Sequence, residues 1–295
     1  MNDPADVPVL VIYHANCPDG FAAALAARLF FKAQTGYRDY QKNITYYQGR
    51  HGKPPPDCSG KQVYILDFSY KKAHMQQVCQ QAEQVILIDH HVSALSELQG
   101  LEQQYPDLQL HFDMQQSGAV LAWKYFHQQP PPKLFEHIQD NDLWLFKMTH
   151  TREIISAIMS YPMSFELWEK WLEDTHSLTQ LYNEGVILNS QRDRQIVKYK
   201  KRARNGKIAG YTVPVVNAPS YICSELLHQL SVGYPFAASY EDRSDKRIWQ
   251  LRSEEDKGVD VAKVAQLFGG GGHKNASGFS TRNFTIELDL PLSNN

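Results

Sequence analysis

The stretch Val85-Ile86-Leu87-Ile88-Asp89-His90-His91 decides how this chain is read. Four successive apolar residues, mostly β-branched, predict a strand buried on both faces, as in a parallel sheet. The run ends abruptly in a carboxylate and two imidazoles. A core expels such side chains, but the carboxyl end of a parallel strand is where an open α/β sheet presents its ligand site. Asp89, His90 and His91 could hold a divalent cation, do acid–base work, or simply hydrogen-bond a turn. The segment alone leaves these open.

Upstream, the apolar run from Val7 to Tyr13 ends in His14-Ala15-Asn16-Cys17-Pro18-Asp19-Gly20. Strong helix formers follow from Phe21 to Phe30, with a small alanine face suited to tight packing on a sheet. Strand, polar turn and helix open a βαβ unit. After the loop Lys53-Pro54-Pro55-Pro56-Asp57, a third strand is predicted from Gln62 to Tyr70, with Asp67 toward its carboxyl end. A helix over about 71–83 then leads back to the opening stretch. Three strands thus finish in candidate ligands: His14 with Asp19, Asp67, and Asp89 with His90 and His91. One polar strand end means little, but three in an alternating β/α chain are hard to ascribe to solvation.

Downstream, Leu108 to Asp113 predicts a further strand, and Ser117 is a plausible N-cap for the helix after it. Pro130-Pro131-Pro132 breaks the chain before a short helix that delivers Asp140-Asn141-Asp142-Leu143-Trp144. Those carboxylates are either a helix-end turn or a fourth ligand position. From 164 to 201, Trp168, Trp171, Leu172, Leu178, Leu181, Tyr182, Ile187 and Leu188 recur at helical spacing, which predicts a helical connector. It ends in a basic run from Arg192 to Lys207, either a solvated face or a local phosphate contact. Strands are predicted over 211–217, 236–241 and 248–253, and a short helix over 259–268. The glycines Gly269 to Gly272 are then either a hinge or a backbone that approaches an anion closely. His273 and Lys274 at their exit, with Arg252 on a preceding strand, favour the anion.

Composition sets the outer limits. A chain of 295 residues has room for two domains, and 42% hydrophobic content supplies a core. A net charge of −2 excludes a strongly basic, DNA-coating protein. Cys17, Cys58, Cys79 and Cys223 form no C-x-x-C pair, which argues against a zinc ribbon and a disulfide framework and fits a reduced cytoplasm. No leader or membrane-spanning pattern is visible, so a cytoplasmic protein without a membrane partner is expected. The expected fold is α/β: a mostly parallel sheet flanked by helices, a helical connector, and a smaller α/β domain.

In order and spacing these motifs resemble the DHH phosphoesterase family with its associated C-terminal domain. Asp89-His90-His91 is the tripeptide that names the family. His14…Asp19-Gly20 is similar to its first motif, Asp67 to its second, and Asp140 or Asp142 to its fourth. Gly270 to Phe279 is similar to the GGGH-x-x-A-A-G signature, with Ser277 in place of the second Ala. The resemblance implies a catalytic domain over 1–165, a connector over 166–205 and a substrate-binding domain over 206–295. It implies two Mn²⁺ ions, with Mg²⁺ or Co²⁺ as alternatives; imidazoles and carboxylates without a thiolate suit Mn²⁺.

Asp67 would bridge the ions, His14 would belong to one, and His90 with Asp140 to the other. Asp19 could serve either, with Asn16 and Asp142 as further candidates. Asp89 would ligate or orient an imidazole, and His91 would contact the scissile phosphate. Arg252, Gly271, Gly272 and His273 would hold a substrate phosphate. The implied substrate is a short oligonucleotide or single-strand end, cut from the 3′ side, with a homodimer left open. The alternatives are hydrolysis of a small phosphate (a cyclic dinucleotide, 3′-phosphoadenosine 5′-phosphate or pyrophosphate) and a non-catalytic nucleotide sensor. Tyr13, Phe68 and Trp144 could each stack on a base or lie in the core. The first motif departs from the family where Asn16 or Cys17 replaces an expected acid, which leaves both roles open.

Overall fold

A computed structural model describes residues 7–35, 43–255 and 257–282. The chain divides into two compact units, Met1–Asn189 and Ser190–Asn295.

The first unit is built on five parallel strands: β1 (Val9–His14), β2 (Ile44–Gly49), β3 (Gln62–Leu66), β4 (Gln84–Asp89) and β5 (Leu108–Phe112), in spatial order β2-β1-β3-β4-β5. Alternate residues enter opposite cores, as the period of two requires. Val11, Tyr13, Tyr64, Leu66, Ile86 and Ile88 pack on one face. Leu10, Ile12, Val63, Ile65, Val85 and Leu87 pack on the other. The first core is closed by α1 (Pro18–Thr35), α4 (Gly118–His127), α5 (Lys133–Asp142), α6 (Thr151–Ser160) and α7 (Phe165–Glu173). The second is closed by α2 (Lys72–Gln81) and α3 (Val92–Leu98), through Met75, Val78 and Leu98. Ala22 to Ala24, Ala26 and Ala27 are wholly buried, so the small alanine face lets α1 lie close against the sheet and α4.

Several expectations shift. The Tyr-rich segment before the proline loop contains β2, an edge strand that its polar residues disguise. The strand expected to reach Tyr70 stops at Leu66, because Asp67 adopts a left-handed backbone (φ 52°) and turns the chain out of the sheet. The helical pattern over 164–201 is two helices, α7 and α8 (Ser177–Lys200), with Ser164 capping the first through Leu167 N. Tyr13 and Phe68 are core residues, whereas Trp144 is exposed.

The second unit is a six-stranded mixed sheet: β6 (Arg204–Ile208), β7 (Tyr211–Asn217), β8 (Ala237–Asp242), β9 (Lys246–Arg252), β10 (Gly271–His273) and β11 (Ala276–Arg282), in order β10-β11-β9-β8-β7-β6. Only β7 and β8 pair in parallel, through the crossover helix α9 (Ser220–Ser231). That helix buries Ile222, Leu226 and Leu227 on one face, and α10 (Val261–Gln266) buries Val261, Val264 and Ala265 on the other. The basic run is not one helical face: Arg204 and Lys207 lie on β6. No helix among the described residues is long and apolar enough to cross a membrane.

Candidate metal centre

β1 lies between β2 and β3, so strand order reverses at β1/β3, the crevice where open α/β sheets bind ligands. His14 ends β1, Asp67 follows β3, and Asp89 ends β4. Asp67 is the hub. Its Oδ1 lies 3.2 Å from His90 Nε2, and its Oδ2 lies 3.4 Å from His14 Nδ1. The second pair is close enough to attract but is not aligned as a hydrogen bond: Asp67 Oδ2 and His14 Nδ1 are both buried without a partner. Such orphans are uncommon, and a cation between them would satisfy both.

His90 Nε2 also lies 3.7 Å from Asp19 Oδ2 and 3.5 Å from Asp142 Oδ2. Three sets of donor atoms therefore gather within 4.8 Å: Asp67, Asp89, His90 and His91; His14, Cys17 and Asp67; and Asp19, His90 and Asp142. The shared members make this one contiguous cluster.

The electrostatics describe a negative cluster short of positive charge. Burial, with Asp67 and Asp142 beside it, pushes the Asp19 carboxyl well above the usual range. Burial and Asp67 likewise push Asp142 up to about 6. Burial also works against the Asp67 charge, but contacts with His14 and His90 and the charge of His91 hold it well below the usual range. His90 is the mirror case: burial disfavours its charge, and Asp67, Asp142 and Asp19 more than offset that, raising it to about 9. Imidazole and carboxylate donors converging in this way fit divalent cations.

Local structure fixes these groups. Asp19, in the first turn of α1, accepts hydrogen bonds from Gly118 N (2.7 Å) and Ala119 N (3.0 Å), the first amides of α4. The positive end of that helix stabilises the buried carboxylate. Gly118 is required by the approach: a Cβ there would lie 2.4 Å from Asp67 Cβ and 3.0 Å from Asp19 Oδ2. Asp89 is fully buried and accepts from His90 N, His91 N and His91 Nδ1 (2.6 Å). Burial disfavours a charged His91, and the Asp89 contact reverses this and raises its pKa.

Of the two fourth-motif candidates, Asp142 reaches the cluster and Asp140 does not. Asp140 accepts from Lys147 N (2.8 Å), Met148 N (3.0 Å) and Thr151 Oγ1 (2.6 Å), so its oxygens are committed to the loop after α5. Thr151 in turn accepts from His137 Nδ1 (2.9 Å). Asn16 is exposed in a left-handed turn (φ 57°). His51, just beyond β2, carries no strong sequence signal. Its ring centroid is 5.4 Å from that of His14, and burial together with His14 and His91 holds its pKa down. Its signal is a polar residue after a strand, and the polar residues of that strand conceal it.

In the second unit, Arg252, Ala276 and His273 are successive partners across β9, β11 and β10, so Arg252 and His273 share one face of the sheet. Arg252 donates to Leu251 O (3.0 Å) and Ser224 Oγ (3.1 Å), and burial lowers its pKa. The glycine run forms one arm of a hairpin. At Gly272 (φ 142°) a Cβ would lie 2.6 Å from Ala276 O.

The sheet with candidate ligands at its strand ends shares its fold with solved structures. The chain superposes on RecJ from Thermus thermophilus, solved in complex with Mn²⁺, at TM-score 0.50 and 15% identity, covering 92% of this chain and 49% of that one. It thus spans about half the length of that RecJ chain. A pGpG-specific phosphodiesterase, PggH from Vibrio cholerae, matches at TM-score 0.49 and 13% identity, with 93% of each chain covered. No family model matches. In sequence the chain is 32% identical over 302 residues to the uncharacterized protein R106 of Acanthamoeba polyphaga mimivirus, covering 94% of this chain and 68% of that one, and it belongs to the family of that protein.

Proposed function

We propose that this chain is a phosphoesterase dependent on two divalent cations, acting on short oligonucleotides or single-strand ends from the 3′ side. The observation that carries the reading is the meeting of His14, Asp67, His90, Asp19 and Asp142 at the sheet's switch point, with His14 Nδ1 and Asp67 Oδ2 buried and unpartnered. Two bound cations would neutralise charge on the phosphoryl oxygens and activate the attacking water.

Asp67 would serve both positions, because its oxygens face His14 on one side and His90 on the other. His90, Asp19 and Asp142 would hold one of the cations, and their oxygen and nitrogen donors suit Mn²⁺ or Mg²⁺. Asp89 positions His91, and His91 contacts the scissile phosphate. Arg252, His273 and the backbone at Gly271 and Gly272 would hold a substrate phosphate. Residues 206–295 act as the substrate-binding domain, and α8 leads into it from the first unit. DHH-type folding and the strand-end ligands support the assignment to phosphoester hydrolysis.

The test is a Mn²⁺-dependent time course on 5′-labelled oligoribonucleotides of graded length, with a cyclic dinucleotide, 3′-phosphoadenosine 5′-phosphate and pyrophosphate alongside. The expected result is a ladder that shortens from the 3′ end. Turnover of the small phosphates alone would replace the oligonucleotide reading. Mn²⁺ binding without turnover of any substrate would make the protein a nucleotide sensor.

A further inference from the structure

The His14 side of the cluster differs chemically from the His90 side. Its third donor is Cys17 Sγ, which lies within 4.8 Å of the His14 and Asp67 ligand atoms. We propose that Cys17 is a thiolate ligand, and that the position formed by His14, Cys17 and Asp67 selects Zn²⁺ or Co²⁺ over Mn²⁺. This rests on the two-cation reading above and changes what one of its positions holds.

Two observations on the site support it. Asp67 is 1% exposed, and its unpartnered Oδ2 faces the same point as the orphaned His14 Nδ1. Cys17 immediately precedes α1, and its carbonyl accepts from Phe21 N (3.0 Å), so the first turn of that helix holds the residue beside the two orphans. A thiol coordinated to a dication is deprotonated outright.

The other cysteines are placed differently. Cys58 Sγ contacts Pro56 O at 3.3 Å, and Cys223 Sγ contacts Pro219 O at 3.3 Å. Neither these nor Cys79 joins a ligand group among the described residues. Thiolate and imidazole together are borderline-soft donors, which favour Zn²⁺ and Co²⁺ over Mn²⁺. Binding displaces the thiol proton to water, and no electron transfer is involved.

The test is Co²⁺ titration of the metal-free 295-residue chain, followed by calorimetry and near-ultraviolet absorption. A sulfur-to-cobalt charge-transfer band is expected in the wild type. Cys17→Ser should abolish it, while Cys58→Ser, Cys79→Ser and Cys223→Ser should each retain it. Cys17→Asp should lower the Zn²⁺ over Mn²⁺ preference by about tenfold or more. Should the Cys17 variants fail to fold, alkylation of wild-type Cys17, read by peptide mass, should slow when Co²⁺ is added. Co²⁺ binding without the band, a band that survives Cys17→Ser, or alkylation indifferent to Co²⁺ would overturn the thiolate ligand and leave the phosphoesterase reading standing. Failure to bind Co²⁺ or Mn²⁺ at all would instead overturn the two-cation reading itself.

Discussion

His91 Nδ1 lies 2.6 Å from Asp89 Oδ1, so one buried carboxylate at the end of β4 fixes the imidazole two residues further on. If Asp89 serves His91, Asp89→Asn should lower kcat by about 10–100-fold. In a His91→Ala background the same change should add little, because the two act as one unit. Steady-state kinetics on the four proteins, with cation stoichiometry by calorimetry, check this. Equal losses in both backgrounds would assign Asp89 an independent role.

Asp140 and Asp142 are two residues apart and should behave oppositely. Asp140→Asn removes an acceptor shared by two amides and a hydroxyl and should destabilise the protein by about 1–3 kcal/mol, with cation binding unchanged. Asp142→Asn should weaken Mn²⁺ binding by about a factor of ten or more, since a neutral amide is a poorer ligand for a hard cation. Thermal melts and Mn²⁺ calorimetry on both variants separate the roles. A reversed pattern would return the ligand role to Asp140.

Gly118→Ala places a methyl group 2.4 Å from Asp67 Cβ. The backbone of α4 must retreat, at about 1–3 kcal/mol of strain, and its grip on Asp19 loosens with it. Reduced Tm together with weaker Mn²⁺ binding is the expected result. A variant with wild-type values in both would show that the helix has room to shift.

Away from the site, Glu169 receives Arg28 Nε at 2.6 Å and Lys32 Nζ at 2.8 Å. Burial works against its charge, but the two cations outweigh it and hold its pKa below 4.5. A depressed carboxyl contributes stability above the unfolded value, and that stability is lost as pH falls through the folded value. Glu169→Gln should cost about 1–3 kcal/mol at neutral pH, allowing for solvent screening around Lys32. The difference from wild type should shrink steadily below about pH 4.5. Denaturant melts across pH measure it, and a pH-independent difference would assign the effect to packing.

The candidate ligands at the strand ends are legible in the sequence because buried parallel strands are continuous apolar runs, and the polar residues ending them stand out. It left Asp140 and Asp142 unresolved, since two residues of spacing at a helix end do not say which side chain turns inward. It hid β2, an edge strand with exposed and half-buried positions, and His51 with it. Cys17 was visible, but only the fold brings its sulfur beside Asp67 and His14. In the second unit the sequence shows β7, β8 and β9 nearly to their ends, whereas the charge of Arg204 and Lys207 hides β6 and the glycine run hides β10 and β11.

The cluster draws on positions from His14 to Asp142 and on the ends of β1, β3 and β4. Those parallel strands pair only through crossovers, so their contacts close late and slowly. A cation that needs all of them has little to hold until the first unit is nearly complete. Loading it should therefore leave the refolding rate almost unchanged and act on escape from the native state, lengthening the lifetime of the folded protein. Cation supply would then set how long each molecule survives as well as whether it turns over substrate.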